Sequence, residues 1–199
     1  MRLLIATRNP GKIKEIRSVL NLDPNIVKSS LDYPDIPEVI EDKDTLEGNA
    51  IKKAVEMASA TGCWALADDS GLEVDALNGA PGVYSARYAG ENCSYKDNIL
   101  KLLTAMKGMK NRKAVFRTVL ALVNLVGKVR TIEGVCEGTI ALSESGSGGF
   151  GYDPIFIPNG YNCSFADLDL KEKNKISHRG QALEEAIRLW GSIFNQFNS

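Results

Sequence analysis

The 199-residue chain predicts an α/β fold on a mixed sheet, and three observations carry that expectation. Short apolar runs such as Leu3–Ala6 alternate with segments of helical period, the mark of βα units. Two long β-rich runs, 114–125 and 128–142, meet at Val126-Gly127 and read as a hairpin, which adds antiparallel strands. No repeat or flexible linker interrupts the chain, so residues 1–199 are expected to form a single α/β domain in two lobes.

The elements follow in order. Leu3–Ala6 is an apolar strand that stops at the turn-like TRNPG. Ile13, Ile16, Val19 and Leu20 recur at helical spacing among Lys and Glu, so an amphipathic helix covers about 11–20. Residues 21–43 are proline-bearing and weakly periodic, which predicts an irregular stretch with at most a short edge strand. A second helix opens near Asp44 with Glu47 as a capping-box-like partner. Leu46, Ala50, Ile51, Ala54, Val55 and Ala58 form its buried stripe, and Gly62 ends it. Trp64–Ala67 reads as a strand leading into an acidic turn at 68–71, with an alternating, half-exposed strand from Leu72 to Ala76. The Gly-rich segment 79–90 is a loop, and Ser94 caps a helix buried through Ile99, Leu102, Leu103 and Met106. After the hairpin comes the loop SESGSGGFGYDP, and a last helix covers about 181–197.

Lys plus Arg (24) and Asp plus Glu (25) nearly cancel, leaving a net charge of −1. No global basic field invites nucleic acid or an anionic membrane. Cys63, Cys93, Cys136 and Cys163 form no CxxC pair, which argues against zinc and points to reduced, hydrophobe-like thiols. The N-terminus lacks the apolar stretch of a signal peptide, and no apolar run reaches membrane-spanning length. The expected address is the cytoplasm.

Five clusters could carry chemistry, and each has a plain structural reading beside the functional one. ATRNPGK (6–12) places a tight turn and a helix N-terminus together, which offers free N–H groups to a phosphate; the plain reading is a capped helix. Glu41-Asp42 and Asp68-Asp69 supply carboxylates suited to Mg²⁺ and to general-base work; the plain reading is solvated acidic turns. Asn49 and Lys53 share one helix face, where two solvated side chains are the simpler expectation. In GSGGFGYDP (146–154) glycines permit close backbone approach, and Phe150 or Tyr152 could stack on a planar base. KEKNKISHRGQAL holds the only histidine, His178, beside Arg179; a lone histidine is more often structural.

Together these strings carry a recognisable pattern. ATRNPGK, TLEGNAIKKA, ADDSGLEVDALNGAPGVYSARYAG, GSGGFGYDP and EKNKISHRGQAL occur in this order over nearly the whole length, and the chain thereby resembles the inosine/xanthosine triphosphate pyrophosphatase family. The sequence departs from the usual pattern at Arg8, at Ile40, at Leu46 and at Gly48. The resemblance implies Mg²⁺-dependent hydrolysis of ITP, dITP and XTP to the monophosphate and pyrophosphate. It also implies an elongated mixed α/β structure of two lobes around a nucleotide cleft, and a homodimer. By motif, Thr7, Arg8, Asn9, Pro10, Gly11 and Lys12 look like the triphosphate grip, with Lys53. Glu41 and Asp69 look like the magnesium ligands, and Asp69 like the base that activates water. Ser70 looks like a substrate contact, and Phe150, Gly151, Tyr152, Asp153, Lys173, His178 and Arg179 look like the surroundings of base and sugar. Donors from His178 and Arg179 would then favour a 6-oxo purine over adenine.

Overall fold

The computed structural model describes residues 1–23 and 25–197. In chain order its elements are β1 (Leu3–Ile5), α1 (Pro10–Leu20), β2 (Val27–Ser29), α2 (Leu46–Thr61), β3 (Trp64–Val74) and β4 (Pro81–Gly82). There follow α3 (Tyr95–Ala105), β5 (Lys113–Val123), β6 (Val129–Ile140), β7 (Phe156–Pro158), α4 (Leu170–Ile176) and α5 (His178–Asn195). The sheet is mixed, as the sequence predicts, with strand order β2-β1-β3-β5-β6-β7 and β4 paired to β3. β1 runs parallel to both β2 and β3, while β3–β4 and β6–β7 are antiparallel. β5 and β6 are the expected hairpin, closed where Asn124 Oδ1 accepts from Lys128 N–H at 2.7 Å.

The chain divides into two compact units. The first comprises Met1–Asp69, Thr118–Gly134 and the residues from Arg179 onward; the second comprises Ser70–Arg117 and Val135–His178. In the first, Leu3, Ile5, Ile16, Leu66, Leu120, Leu122, Trp190 and Phe194 share one core. In the second, Leu72, Val74, Leu102, Met106, Phe156 and Phe165 do so. Burying such side chains stabilises each core by about 1.5–3 kcal/mol per residue.

Several expectations need correction. Asp68 and Asp69 do not form a turn, because β3 runs unbroken through them as an eleven-residue strand. A turn would hydrate them; here cationic side chains neutralise them instead, as described below. Helix α2 is capped by Thr45, not Asp44: the Thr45 hydroxyl accepts from Gly48 N–H at 3.0 Å. With Gly48 at the third helical position no reciprocal glutamate exists, and Glu47 instead accepts from Thr131 Oγ1. The buried stripe of α2 is also rotated. Val55 is 39% exposed, while Asn49 is 0% and Lys53 8% exposed. Polar residues on that face are held inward by specific partners, which periodicity of apolar residues cannot reveal.

Candidate active site

In the first unit, β1 ends at Ile5, paired with Leu66 of β3. Residues 67–69 therefore run past the carboxyl end of a parallel pair, the place where open α/β sheets collect their ligands. Four carboxylates and three cations meet there. Asp68, 1% exposed, takes Lys12 Nζ at 3.0 Å, and Arg179 Nε and Nη2 at 3.1 and 3.0 Å, all on Oδ2. Arg179 Nη1 donates to Glu15 Oε2 at 2.5 Å. Lys53 Nζ lies 2.5 Å from Glu41 Oε1 and 3.3 Å from Asp69 Oδ1. Thr118 Oγ1 fixes the strand by donating to the Asp69 carbonyl at 3.0 Å.

The electrostatics of neighbouring carboxylates diverge. Burial alone would raise the Asp68 carboxyl, but the charges of Lys12 and Arg179 outweigh it and hold the group below the ordinary carboxylate range. Asp69 goes the other way. Burial pushes its carboxyl up, Glu41 and Asp68 add to the rise, and Lys53 and Lys12 only partly offset it. Burial lowers the Lys12 ammonium, and Lys53 and Arg179 deepen the effect against Asp68. For Lys53 burial also lowers the pKa, but Asp69 and Glu41 overcome it and raise the group. Asp68 is thus a fixed anion, while the Asp69 carboxyl is shifted in the opposite direction, above its ordinary value.

The segment 6–12 is arranged around Asn9, the cap of α1. Its Oδ1 accepts from Gly11 N–H at 2.9 Å and Lys12 N–H at 3.3 Å, and its own N–H donates to Thr7 Oγ1 at 3.2 Å. Pro10 occupies the first helical position. The N–H groups expected to be free for a phosphate are therefore held by the cap, and a ligand there must displace Asn9 or use Lys12. Arg8 donates from Nη2 to the Ile36 carbonyl at 2.6 Å.

In the second unit Asp153 and Lys173 form a closed pair at 2.5 Å, both 3% exposed. Asp153 Oδ2 also accepts from Phe150 N–H at 2.8 Å, and Lys173 Nζ sits 4.9 Å from the centroid of the Phe150 ring. His178 is 3% exposed and stacks on Phe116, with centroids 4.6 Å apart and planes 9° from parallel. Tyr152 is no stacking platform: it is 5% exposed within the core, and its hydroxyl donates to the Ser85 carbonyl at 2.9 Å. Phe150 and Ser70 are half-buried.

Comparison with known proteins gives this geometry a family. The Ham1 family profile matches residues 3–189. The dITP/XTP pyrophosphatase of Desulforamulus reducens is 48% identical, covering 98% of each chain. The chain belongs to the Ham1 family. The dITP/XTP pyrophosphatase of Geobacter sulfurreducens is 50% identical over 92% of each chain. A Ham1 protein structure from Coxiella burnetii superposes with a TM-score of 0.86 at 41% identity, covering 96% of this chain and 99% of the other. The Staphylococcus aureus Ham1 protein gives 0.85 at 37%, covering 97% and 100%.

Within this Ham1 fold the first unit brings together Lys12, Lys53 and Asp69 from three separate motifs with Glu41 from outside them. It places Arg179 with them rather than as a donor for a base. All three nitrogens of its guanidinium face Asp68 and Glu15, and the residue is 2% exposed. It acts as the clamp on Asp68. Glu15 and Thr118 are contributors that motif matching left out, and Asp68, read from sequence with Asp69 as a carboxylate suited to Mg²⁺, is here ion-paired to Lys12 and Arg179. Glu15 had a legible signal, because it lies between Ile13 and Ile16 on the inward face of α1. Among the described residues no three Asp, Glu, His or Cys side chains form a ready-made metal cage. The set still fits magnesium, which takes few protein oxygens and keeps water. Asp69 Oδ2 is buried without a hydrogen-bond partner, and among the described residues the ion pairs here set four carboxylates against three cations. A hard cation satisfies both.

Proposed function

We propose that this Ham1-family protein hydrolyses dITP, XTP and ITP to the monophosphate and pyrophosphate with Mg²⁺ as cofactor, removing deaminated purines from the nucleotide pool. The observation that carries this reading is Asp69. It is a buried carboxylate with raised basicity and one unpartnered oxygen, set beside Lys53 and Glu41. Asp69 and Glu41 would hold the magnesium, which supplies charge neutralisation at the phosphates and on the leaving pyrophosphate. Lys12 and Lys53 bind phosphate oxygens, with Thr7, Arg8, Asn9, Pro10 and Gly11 forming the surrounding loop and Ser70 a further contact. Both ammonium groups are already fixed by carboxylates, so they need little reorganisation as charge develops. The Asp69 carboxylate takes the proton of the attacking water, a role worth roughly 10²–10⁴-fold.

For base recognition we propose Phe150 as a stacking face, with Gly151, the Asp153–Lys173 pair and His178 around it. Donors directed at a 6-oxo group would reject adenine, because a buried donor facing a donor can cost about 10⁴–10⁵-fold. Among the described residues no helix is long and apolar enough to cross a membrane; a homodimer acting in the cytoplasm is proposed on the family resemblance. Pyrophosphate release from dITP, XTP, ITP, ATP, dTTP and UTP, with and without Mg²⁺, tests the proposal. Metal-dependent release confined to the first three is expected. Equal turnover of dTTP or UTP overturns the substrate assignment, and undiminished turnover in a chelator overturns the cofactor.

A further inference from the structure

We propose that Asn49 is a positioning residue for the metal site: its buried carboxamide clamps the backbone of Lys43 and so holds Glu41 in place. The inference rests on Glu41 being a metal ligand. Residues 37–43 adopt neither helix nor strand, and most of their side chains are exposed. A ligand borne by such a segment is only as well placed as the contacts that fix the segment.

Two anchors flank Glu41. Upstream, Arg8 Nη2 donates to the Ile36 carbonyl at 2.6 Å. Downstream, Asn49 Oδ1 accepts from Lys43 N–H at 2.9 Å, and Asn49 Nδ2 donates to the Lys43 carbonyl at 3.4 Å. One carboxamide thus engages both backbone groups of one residue, as a neighbouring strand would. Asn49 is 0% exposed and sits on α2, so the clamp is rigid on its own side. Lys53 follows one helical turn later on the same face and takes the Glu41 side chain at 2.5 Å. One face of α2 therefore fixes both the backbone beside Glu41 and its carboxylate. An alanine or serine at 49 could not span both Lys43 groups, and the buried side of the clamp would be left unsatisfied.

The test uses the full chain and Mn²⁺ alone as the probe, with affinity read by electron paramagnetic resonance. Amide exchange at Lys43 and thermal unfolding are followed in parallel. In the wild type the Lys43 amide should exchange more slowly than those of Asp42 and Asp44, and Asn49→Ala should remove that protection. Asn49→Ala and Glu41→Gln should each weaken Mn²⁺ about tenfold, the range for loss of a ligand-orienting contact. Lys43→Pro deletes the clamped N–H at an exposed position and should weaken Mn²⁺ similarly; it decides the matter if Asn49→Ala fails to fold. The positioning role is overturned if Glu41→Gln weakens Mn²⁺ while the folded clamp variants stay within twofold of wild type. An unaltered Mn²⁺ affinity in Glu41→Gln, or no Mn²⁺ binding by the wild type, overturns the metal reading and the inference with it.

Discussion

The two units bury charge in contrasting ways. In the second, Lys173 and Asp153 balance one to one, with the Phe150 N–H on the same carboxylate and the Phe150 and Phe165 rings beside the ammonium. In the first, Glu15, Glu41, Asp68 and Asp69 face Lys12, Lys53 and Arg179, and Asp69 Oδ2 has no hydrogen-bond partner. A balanced, hydrogen-bonded pair in a dry site fixes geometry. An unbalanced set keeps electrostatic capacity for a further cation. The contrast extends inside the first unit, where two cations, Lys12 and Arg179, hold Asp68 and Lys53 holds Asp69.

The largest expected effect lies in that inner contrast. Asp69→Asn keeps the shape of the side chain but removes the basic oxygen, so turnover of dITP should fall by roughly 10²–10⁴-fold. Its thermal unfolding should stay close to wild type. A variant that retains near-wild-type turnover breaks the distinction between the two aspartates. Arg179→Ala should do the opposite. It leaves Asp68 and Glu15 buried without their shared counter-ion, a loss of about 3–5 kcal/mol of stability, read from chemical denaturation. A stable Arg179→Ala protein with only a raised KM would return the arginine to substrate binding.

Asp68, paired with Lys12 and Arg179, also makes a pH prediction. Its folded pKa lies below the ordinary value, so the folded state keeps the charge after the unfolded chain has taken up a proton. The stability this contributes is complete above about pH 3.9, the ordinary value for Asp, and declines as pH falls below it. Melting temperatures of wild type and Asp68→Asn, taken from pH 7 to pH 2, should therefore differ most at neutral pH and converge in acid. A constant offset across that range would mean that Asp68 stabilises through its shape and not its charge.

The sheet and most helices were legible because apolar periodicity records which face is buried. Leu3, Leu66 and Leu120 announced their strands, Gly62 its helix end, and Ser94 its cap. The site was legible as motifs but not as geometry. Asp68-Asp69 reads from sequence as an acidic turn because hydropathy counts carboxylates as surface, whereas Lys12 and Arg179 compensate Asp68, and Lys53 Asp69, from distant parts of the chain. Asn49 and Lys53 were read as the wet face of α2 for the same reason. Arg179 was matched to the base by its neighbourhood in sequence, yet its guanidinium direction is set by Glu15, 164 positions away. Periodicity finds burial of apolar groups; only tertiary pairing finds burial of charge.

The smallest expected effect tests how tightly the balanced pair governs its loop. Gly149 and Gly151 both have positive φ, +70° and +61°, so alanine at either costs roughly 1–2 kcal/mol of left-handed strain. A Cβ at 151 meets nothing within 4 Å, whereas one at 149 would lie 2.1 Å from Asp153 Oδ2. Gly149→Ala must then push Asp153 from Lys173 or lift the loop that carries Phe150. It should raise the KM for dITP beyond the effect of Gly151→Ala while leaving the first unit's Mn²⁺ affinity unchanged. Equal KM values for the two variants would show that the loop is held by its own turn geometry and that the buried pair only packs beneath it.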